Sequence, residues 1–311
     1  MIYFFHRDFK CFIKIIIAGG VNSMIQAYLK YFSALLLFGL NGIVASDISL
    51  NSYEIVFFRT LLGSLFLVMV FVLSGGKIRG CKKHYIYLAI SGMAMGTSWM
   101  FLYEAYTQIG VGIATLVYYC GPVIVMALSS FLFREHITFT KLLGFSIVMT
   151  GMFFVNNHAL QQSGFSWGLL CGGLSAIMYA IMVIFNKKAK GITGLENAMF
   201  QLIMSFLTVA VFVLFRQRFI AASVMKNILP VLFLGVVNTG IGCYLYFSSI
   251  QQLKTGTVAI CGYLEPLSAL IFSAVFLQER LSMVQIIGAA FIIGGALWGE
   301  LSAYGSKRKK N

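Results

Sequence analysis

Residues 256–301 read GTVAICGYLEPLSALIFSAVFLQERLSMVQIIGAAFIIGGALWGEL. The stretch is two apolar runs joined by a short charged turn. Inside the first run, Glu265-Pro266 sets an acid beside a helix breaker in otherwise oily sequence. An earlier stretch, residues 112–155, reads GIATLVYYCGPVIVMALSSFLFREHITFTKLLGFSIVMTGMFFV. A shift of 144 residues lays Gly112 on Gly256, Tyr119 on Tyr263, Pro122 on Pro266 and Glu135 on Glu279. It also lays Gly144 on Gly288 and Gly151 on Gly295, and two of the three prolines in the chain coincide. The chain therefore reads as an internal duplication.

The 311 residues are 59% hydrophobic and 10% charged, with a mean hydropathy of +0.89. Soluble domains carry about 25% charged residues, so the class is an all-α integral membrane protein. The apolar runs approach the ~20 residues that span a bilayer as helix. They are continuous rather than alternating, which disfavours a barrel. The net charge of +14 lies mostly in loops and tails, where it sets topology, and no basic patch coincides with a nucleic-acid-binding motif. The six cysteines contain no CxxC pair and read as small buried hydrophobes; the four histidines are scattered. No metal and no other cofactor is expected.

Residues 1–24 mix aromatics with Arg7, Lys10 and Lys14. They fit an interfacial amphipathic helix or a start site that truly lies at Met24; a cleaved signal peptide fits less well. Ten candidate spans follow, at roughly 25–45, 53–74, 84–106, 111–133, 140–156, 165–186, 195–215, 227–250, 256–277 and 283–304. They divide into a first five-helix repeat, 25–156, and a second, 165–304, followed by a basic cytoplasmic tail, 305–311. With the N-terminus inside, eighteen Lys and Arg fall on the cytoplasmic side and four on the other, which predicts N-in and C-in. The segment 216–227 runs against the rule with three positive charges. An odd number of spans per repeat forces the second copy into the membrane upside down. Such inverted repeats bind their cargo near the midplane, at the repeat interface.

Each half ends in a long helix, a Glu-containing turn (REHIT, QERLS) and a glycine-spaced helix (GFSIVMTG, GAAFIIGG). This duplicated pattern resembles the drug/metabolite transporter superfamily, EamA type, over roughly residues 25–304. The first copy departs from it, with Cys120-Gly121-Pro122 where the second has Leu264-Glu265-Pro266. The resemblance implies a secondary transporter of the bacterial inner membrane. It implies export, in many members, of amino acids, related metabolites or drugs, without fixing one substrate.

Glu265 lies about nine residues into its span and so near the bilayer centre at ~1.5 Å per residue. An acid there costs about 2.5–3.5 kcal/mol unless it faces a wet cavity or finds a partner. It reads either as a contact for a substrate ammonium or coupling proton, or as a structural acid bonded to a neighbouring helix. Pro266 removes a backbone donor, which is expected to free the Gly262 carbonyl, and Pro122 repeats that break. Trp99, Tyr103 and Tyr106 share one helix face, while Tyr119 and Tyr263 are mid-span and repeat-related; with Tyr179 they are candidates for an aromatic cavity wall. Asn41 and Asn238 are candidate substrate ligands or interhelical hydrogen bonds. Arg59 and Glu104 fall at comparable depth and are expected either to pair as a structural clasp or to snorkel separately. Glu135 and Glu279 read as loop-fixing residues of the turns. Gly92-x-x-x-Gly96 and Gly235-x-x-x-Thr239 read as faces for close helix packing.

These readings predict a carrier for small zwitterionic or amphipathic molecules, working by alternating access within the lipid bilayer. A monomer would suffice. No catalytic residue and no nucleic-acid partner is expected. The alternatives are a flippase for lipid or lipid-linked solutes and a membrane subunit that transports nothing. An enzyme lacks clustered catalytic groups, a channel would conduct without saturating, and an ATP-driven pump lacks the GxxxxGK[ST] loop.

Overall fold

In a computed structural model, the structure describes residues 23–46, 48–78, 80–133, 139–155, 167–216, 228–276, 278 and 282–308. The N-terminal segment before Ser23, the turn glutamates Glu135 and Glu279, and nearly all of the basic segment 216–227 lie outside the described residues. The regular structure described is all helical. In chain order it comprises α1 (Ser23–Gly39), α2 (Asn41–Ser46), α3 (Ser52–Leu73), α4 (Lys82–Tyr118), α5 (Gly121–Phe133) and α6 (Phe139–Val155). After these come α7 (Trp167–Lys188), α8 (Gly194–Arg216), α9 (Ile228–Leu232), a π-helical segment (Phe233–Ile241), α10 (Gly242–Ile250), α11 (Thr255–Cys261), α12 (Leu264–Phe276) and α13 (Met283–Arg308). Among the described residues, seven helical stretches are long and apolar enough to cross a membrane, and three shorter apolar helices accompany them. The outer surface is oily: Phe131 and Phe215 are 86% and 90% exposed. Such a surface suits hydrocarbon, where helices satisfy their own backbone groups.

Local chemistry sets the element ends. Asn51 caps α3: its Oδ1 accepts from the Glu54 amide at 3.0 Å, and the Asn51 amide donates to Glu54 Oε2 at 3.2 Å. The expected third and fourth spans are joined without a loop. Gly110, at φ 77°, ψ 159°, kinks α4 in a conformation open to glycine and strained for other residues. The fourth span is itself broken at residues 119–120, and its repeat mate is broken at residues 262–263, between α11 and α12. Pro122 and Pro266 therefore sit in the first turns of α5 and α12, where the missing N–H breaks no helical bond. The Gly262 carbonyl is not left open as expected; it accepts from the Glu265 amide at 3.1 Å, because the chain tightens into a turn there.

The two copies interlock. α4 packs along α7, and the repeat-equivalent contact, α10 on α1, is also made. In the same way α8 on α4 mirrors α3 on the π-helical segment, and α5 on α7 mirrors α12 on α1. α5 packs on α11, which precedes its mate α12, and the helices that pack on their own mates are α3 with α8 and α6 with α13. At the last of these the two-fold relation is visible atom by atom. A Cβ at Gly151 would stand 2.6 Å from the Gly288 carbonyl oxygen, and one at Gly295 would stand 2.6 Å from that of Gly144. Residue 144 thus faces 295 while 151 faces 288, so α6 and α13 run antiparallel. The small-residue faces behave as read: Gly92 and Gly96 approach the Gln201 and Ser205 carbonyls of α8, and Gly235 approaches Leu62 of α3. Between α4 and α7, Ser98 and Ser175 exchange hydroxyl-to-carbonyl bonds of 2.9 and 2.7 Å.

Candidate functional site

The two half-helices α5 and α12 begin at the centre of the bundle, against a cavity of about 50 Å³ between the repeats. Glu265, in the first turn of α12, lines it, and so do Asn41, Trp99, Tyr119, Pro122 and Tyr179. The N-terminal turn suits a carboxylate, since the helix dipole presents its positive end there. Tyr179 and Tyr246 meet hydroxyl to hydroxyl at 3.2 Å across the cavity wall. Tyr118 stacks on both Tyr119 and Tyr179, with ring centroids 5.2 and 5.5 Å apart.

Of the expected site residues, the structure gathers Glu265, Tyr119, Trp99, Asn41 and Tyr179 at one cavity, with Pro122 beside them. Three others stand behind its wall. Tyr263 is fully buried; its hydroxyl donates to the Tyr119 carbonyl at 2.6 Å, and its ring packs on Phe145 at 5.7 Å. That makes it a pin between the repeats. Tyr103 accepts from Arg59 Nη1 at 3.3 Å, and Asn238 donates to Asn41 Oδ1 at 2.9 Å.

Arg59 and Glu104 do not meet. Arg59 is buried, with its guanidinium carbon 4.3 Å from the Trp99 ring centroid. Its Nε donates to Thr239 Oγ1 at 3.0 Å and its Nη2 to Asn41 Oδ1 at 3.4 Å. Glu104 instead accepts from the Tyr53 hydroxyl and from Gln108 Nε2. It borders a second, side cavity of about 390 Å³ beside the exposed Trp167 and Val211. Equal depth in two spans does not place two side chains on facing sides of their helices.

Polar groups cross between the repeats on both sides of the cavity. On one side stand Arg59–Thr239 and Asn41–Asn238. On the other, Asn186 Nδ2 donates to Asn197 Oδ1 at 2.9 Å and Gln201 Oε1 at 3.0 Å, and Gln201 Nε2 donates to Ser91 Oγ at 2.7 Å. This second cluster was not singled out from the sequence. Its members are each a lone polar residue in an oily run, and a lone polar residue carries no sign of where its partner lies. Tyr31 was missed for the same reason; its hydroxyl donates to the Val258 carbonyl at 2.7 Å, pinning α1 to α11.

A cavity of this size takes a few waters at roughly 10–15 Å³ each, against the ~300–1,000 Å³ of a formed ligand pocket. As it stands it is too narrow for an organic molecule, and its walls must separate to admit one.

The chain resembles known proteins over nearly all of the described helices. An uncharacterized transporter of Bacillus subtilis (strain 168), YxxF, is 26% identical over 278 residues, spanning 86% of this chain and 88% of that protein. A probable amino-acid metabolite efflux pump of Salmonella typhimurium (strain LT2) is 28% identical over 200 residues, 59% of this chain and 65% of that protein. A solved crystal structure shares the fold with a TM-score of 0.76 at 20% identity, covering 88% of this chain and 98% of that one. The EamA-like transporter family matches twice, over residues 25–157 and again over 166–298, with one copy on each side of the two-fold-related packing, and the chain belongs to that family.

Proposed function

We propose that this transporter is a secondary carrier that moves small organic metabolites, amino acids and related amphipathic compounds, out of the cell by alternating access. The membrane is the bacterial inner membrane, crossed by ten spans in two inverted five-helix repeats with both termini inside. The antiparallel packing of α6 on its repeat mate α13 supports inversion: a two-fold that reverses a spanning helix lies in the membrane plane. The Salmonella relative, a probable amino-acid metabolite efflux pump, supports export of such compounds.

The observation that carries the reading is Glu265, at the start of a half-helix and lining a narrow cavity between the copies. Broken helices that aim their ends at a midplane site are the common carrier device. The polar clusters on either side serve as gates, and the closed structure is an occluded state. Beside its 3.0 Å bond to Thr239, the latch at Arg59 has two long bonds of 3.3 and 3.4 Å, and Asn238 Oδ1 is buried with no hydrogen-bond partner among the described residues. Loose bonds and an orphan acceptor lower the cost of opening.

The test has two arms. Cells with and without the protein are compared for metabolites inside and in the medium; a metabolite that leaves only with the protein present supports export, and identical pools overturn it. Purified protein in liposomes is then assayed with that metabolite across pH. Glu265→Gln is expected to cut flux at least tenfold and flatten its pH profile; an unchanged rate and profile removes Glu265 from the mechanism.

A further inference from the structure

Arg59 is buried behind the wall of the central cavity, and Glu265 lines that cavity. Arg59 has five N–H donors, and its described bonds run to Thr239, Tyr103 and Asn41, with Trp99 under the guanidinium. Two of its neighbours, Asn41 and Trp99, line the cavity, as does Glu265. The described hydrogen bonds of Arg59 all run to neutral groups, in a setting where burying an ion costs several kcal/mol. A direct pair with Glu265 would have been the simpler arrangement, and the chain keeps the two apart. The repeat also makes the arrangement one-directional. At the 144-residue shift the mates of Arg59, Trp99 and Glu265 are Ile203, Cys243 and Gly121. The pseudo-symmetric cavity thus has an acid in its wall and an arginine behind Asn41 and Trp99, and neither has a charged counterpart in the other copy.

We propose that the cargo is bound as a zwitterion with an apolar or aromatic side chain, its carboxylate at Arg59 and its ammonium at Glu265. This rests on the carrier reading of the same cavity and adds which charges the cargo carries and which way round it lies. The arriving carboxylate replaces the longest of the Arg59 bonds, 3.4 Å to Asn41, and uses donors the closed state leaves idle. The ammonium meets the Glu265 carboxylate and the faces of Tyr118 and Tyr119. Arg59 is then a specificity residue as well as part of the latch, and carboxylate binding and release of the Asn41 contact are one event.

Three probes of one shape separate the charges: L-phenylalanine, L-phenylalaninamide without the carboxylate, and 3-phenylpropionate without the amine. In liposomes the wild type is expected to take up L-phenylalanine at least tenfold faster than either analogue. Arg59→Gln is expected to erase the preference over the amide and keep the preference over phenylpropionate; Glu265→Gln is expected to do the reverse. A structural role alone would lower all three rates together, and that result, or a wild type preferring a singly charged probe or moving none, overturns the proposal. Should Arg59→Gln fail to fold, the carboxylate end is read on a protein carrying Trp167→Phe and Trp298→Phe, both exposed positions. There the fluorescence of Trp99 is expected to respond to L-phenylalanine and phenylpropionate and not to the amide; an equal response to all three counts against Arg59. A metabolite pool that shifts with the protein while all three probes fail leaves the carrier standing and removes the zwitterion. Unchanged pools remove the carrier itself.

Discussion

Glu265 and Gly121 occupy equivalent places in the two copies, and their neighbours explain why only one is an acid. A Cβ at Gly121 would lie 2.8 Å from the Tyr179 ring. The mate of Tyr179 is Leu35, which lines the cavity near Glu265 and leaves room for the carboxylate. The pairs Gly121–Tyr179 and Glu265–Leu35 thus fill one symmetric space in two ways. Gly121→Glu is expected to destabilise the protein by overpacking, by about 1–3 kcal/mol, and adding Tyr179→Leu is expected to recover most of it. Thermal unfolding followed by size-exclusion chromatography reads both; a double variant no better than the single one contradicts the account. Tyr263 belongs to the same scale. As a pin rather than a cavity residue, Tyr263→Phe should lose about 1 kcal/mol from one hydrogen bond and leave the Michaelis constant for cargo unchanged. A large rise in that constant would return Tyr263 to the binding site.

Among the elements, the pairing of α6 with α13 depends on glycines set seven residues apart in each helix. The spacing was visible in GFSIVMTG and GAAFIIGG, but the partner was not, since a small-residue face names no neighbour. Because the contacts at Gly151 and Gly295 are equivalent, Gly151→Leu and Gly295→Leu should each lower the melting temperature by similar amounts. Differential scanning fluorimetry checks this, and a strongly unequal pair would deny the two-fold relation there. The π-helical segment carries a second element-scale prediction. The Thr239 hydroxyl donates to the Leu234 carbonyl, five residues back, at 2.8 Å and accepts from Arg59 Nε. Thr239→Val keeps the shape and removes both bonds, leaving a buried donor unmet. It should cost about 1–3 kcal/mol and loosen the gate, seen as faster labelling of a cavity cysteine at Ser98→Cys in a protein freed of its native cysteines. Slower labelling would place the segment outside the gate.

At the scale of the whole molecule, the repeats interleave, so almost every large helix contact joins one copy to the other. Residues 25–156 alone therefore lack the partners that bury α1, α3, α4 and α6. Fragments 1–160 and 161–311 expressed separately should aggregate or be degraded, and co-expressed they should assemble into a species of full-length size. A stable, monodisperse first half would show that its own contacts suffice. The interleaving also bears on motion. On the alternating-access proposal, opening the cavity requires helices of both copies to move together, because each polar cluster joins residues from the two repeats: Arg59 to Thr239 in one, and Ser91 to Gln201 in the other.

The sequence by itself determined the class, the duplication and the family, and its paired prolines marked the neighbourhood of two helix breaks. Hydropathy and a repeated Pro, Glu and Gly pattern are written along the chain and need no partner to be read. It also marked Glu265, since an acid in an oily run is costly wherever the run lies. The tertiary structure decided which side chains meet: that Arg59 turns to Trp99 and Asn41 instead of Glu104, that Tyr263 is a pin, and that Asn186, Asn197, Gln201 and Ser91 form one cluster. The physical reason is that contact depends on the rotation of each helix about its axis and on the choice of neighbour. Both are fixed by packing between the two copies, at sequence separations as large as the 180 residues between Arg59 and Thr239.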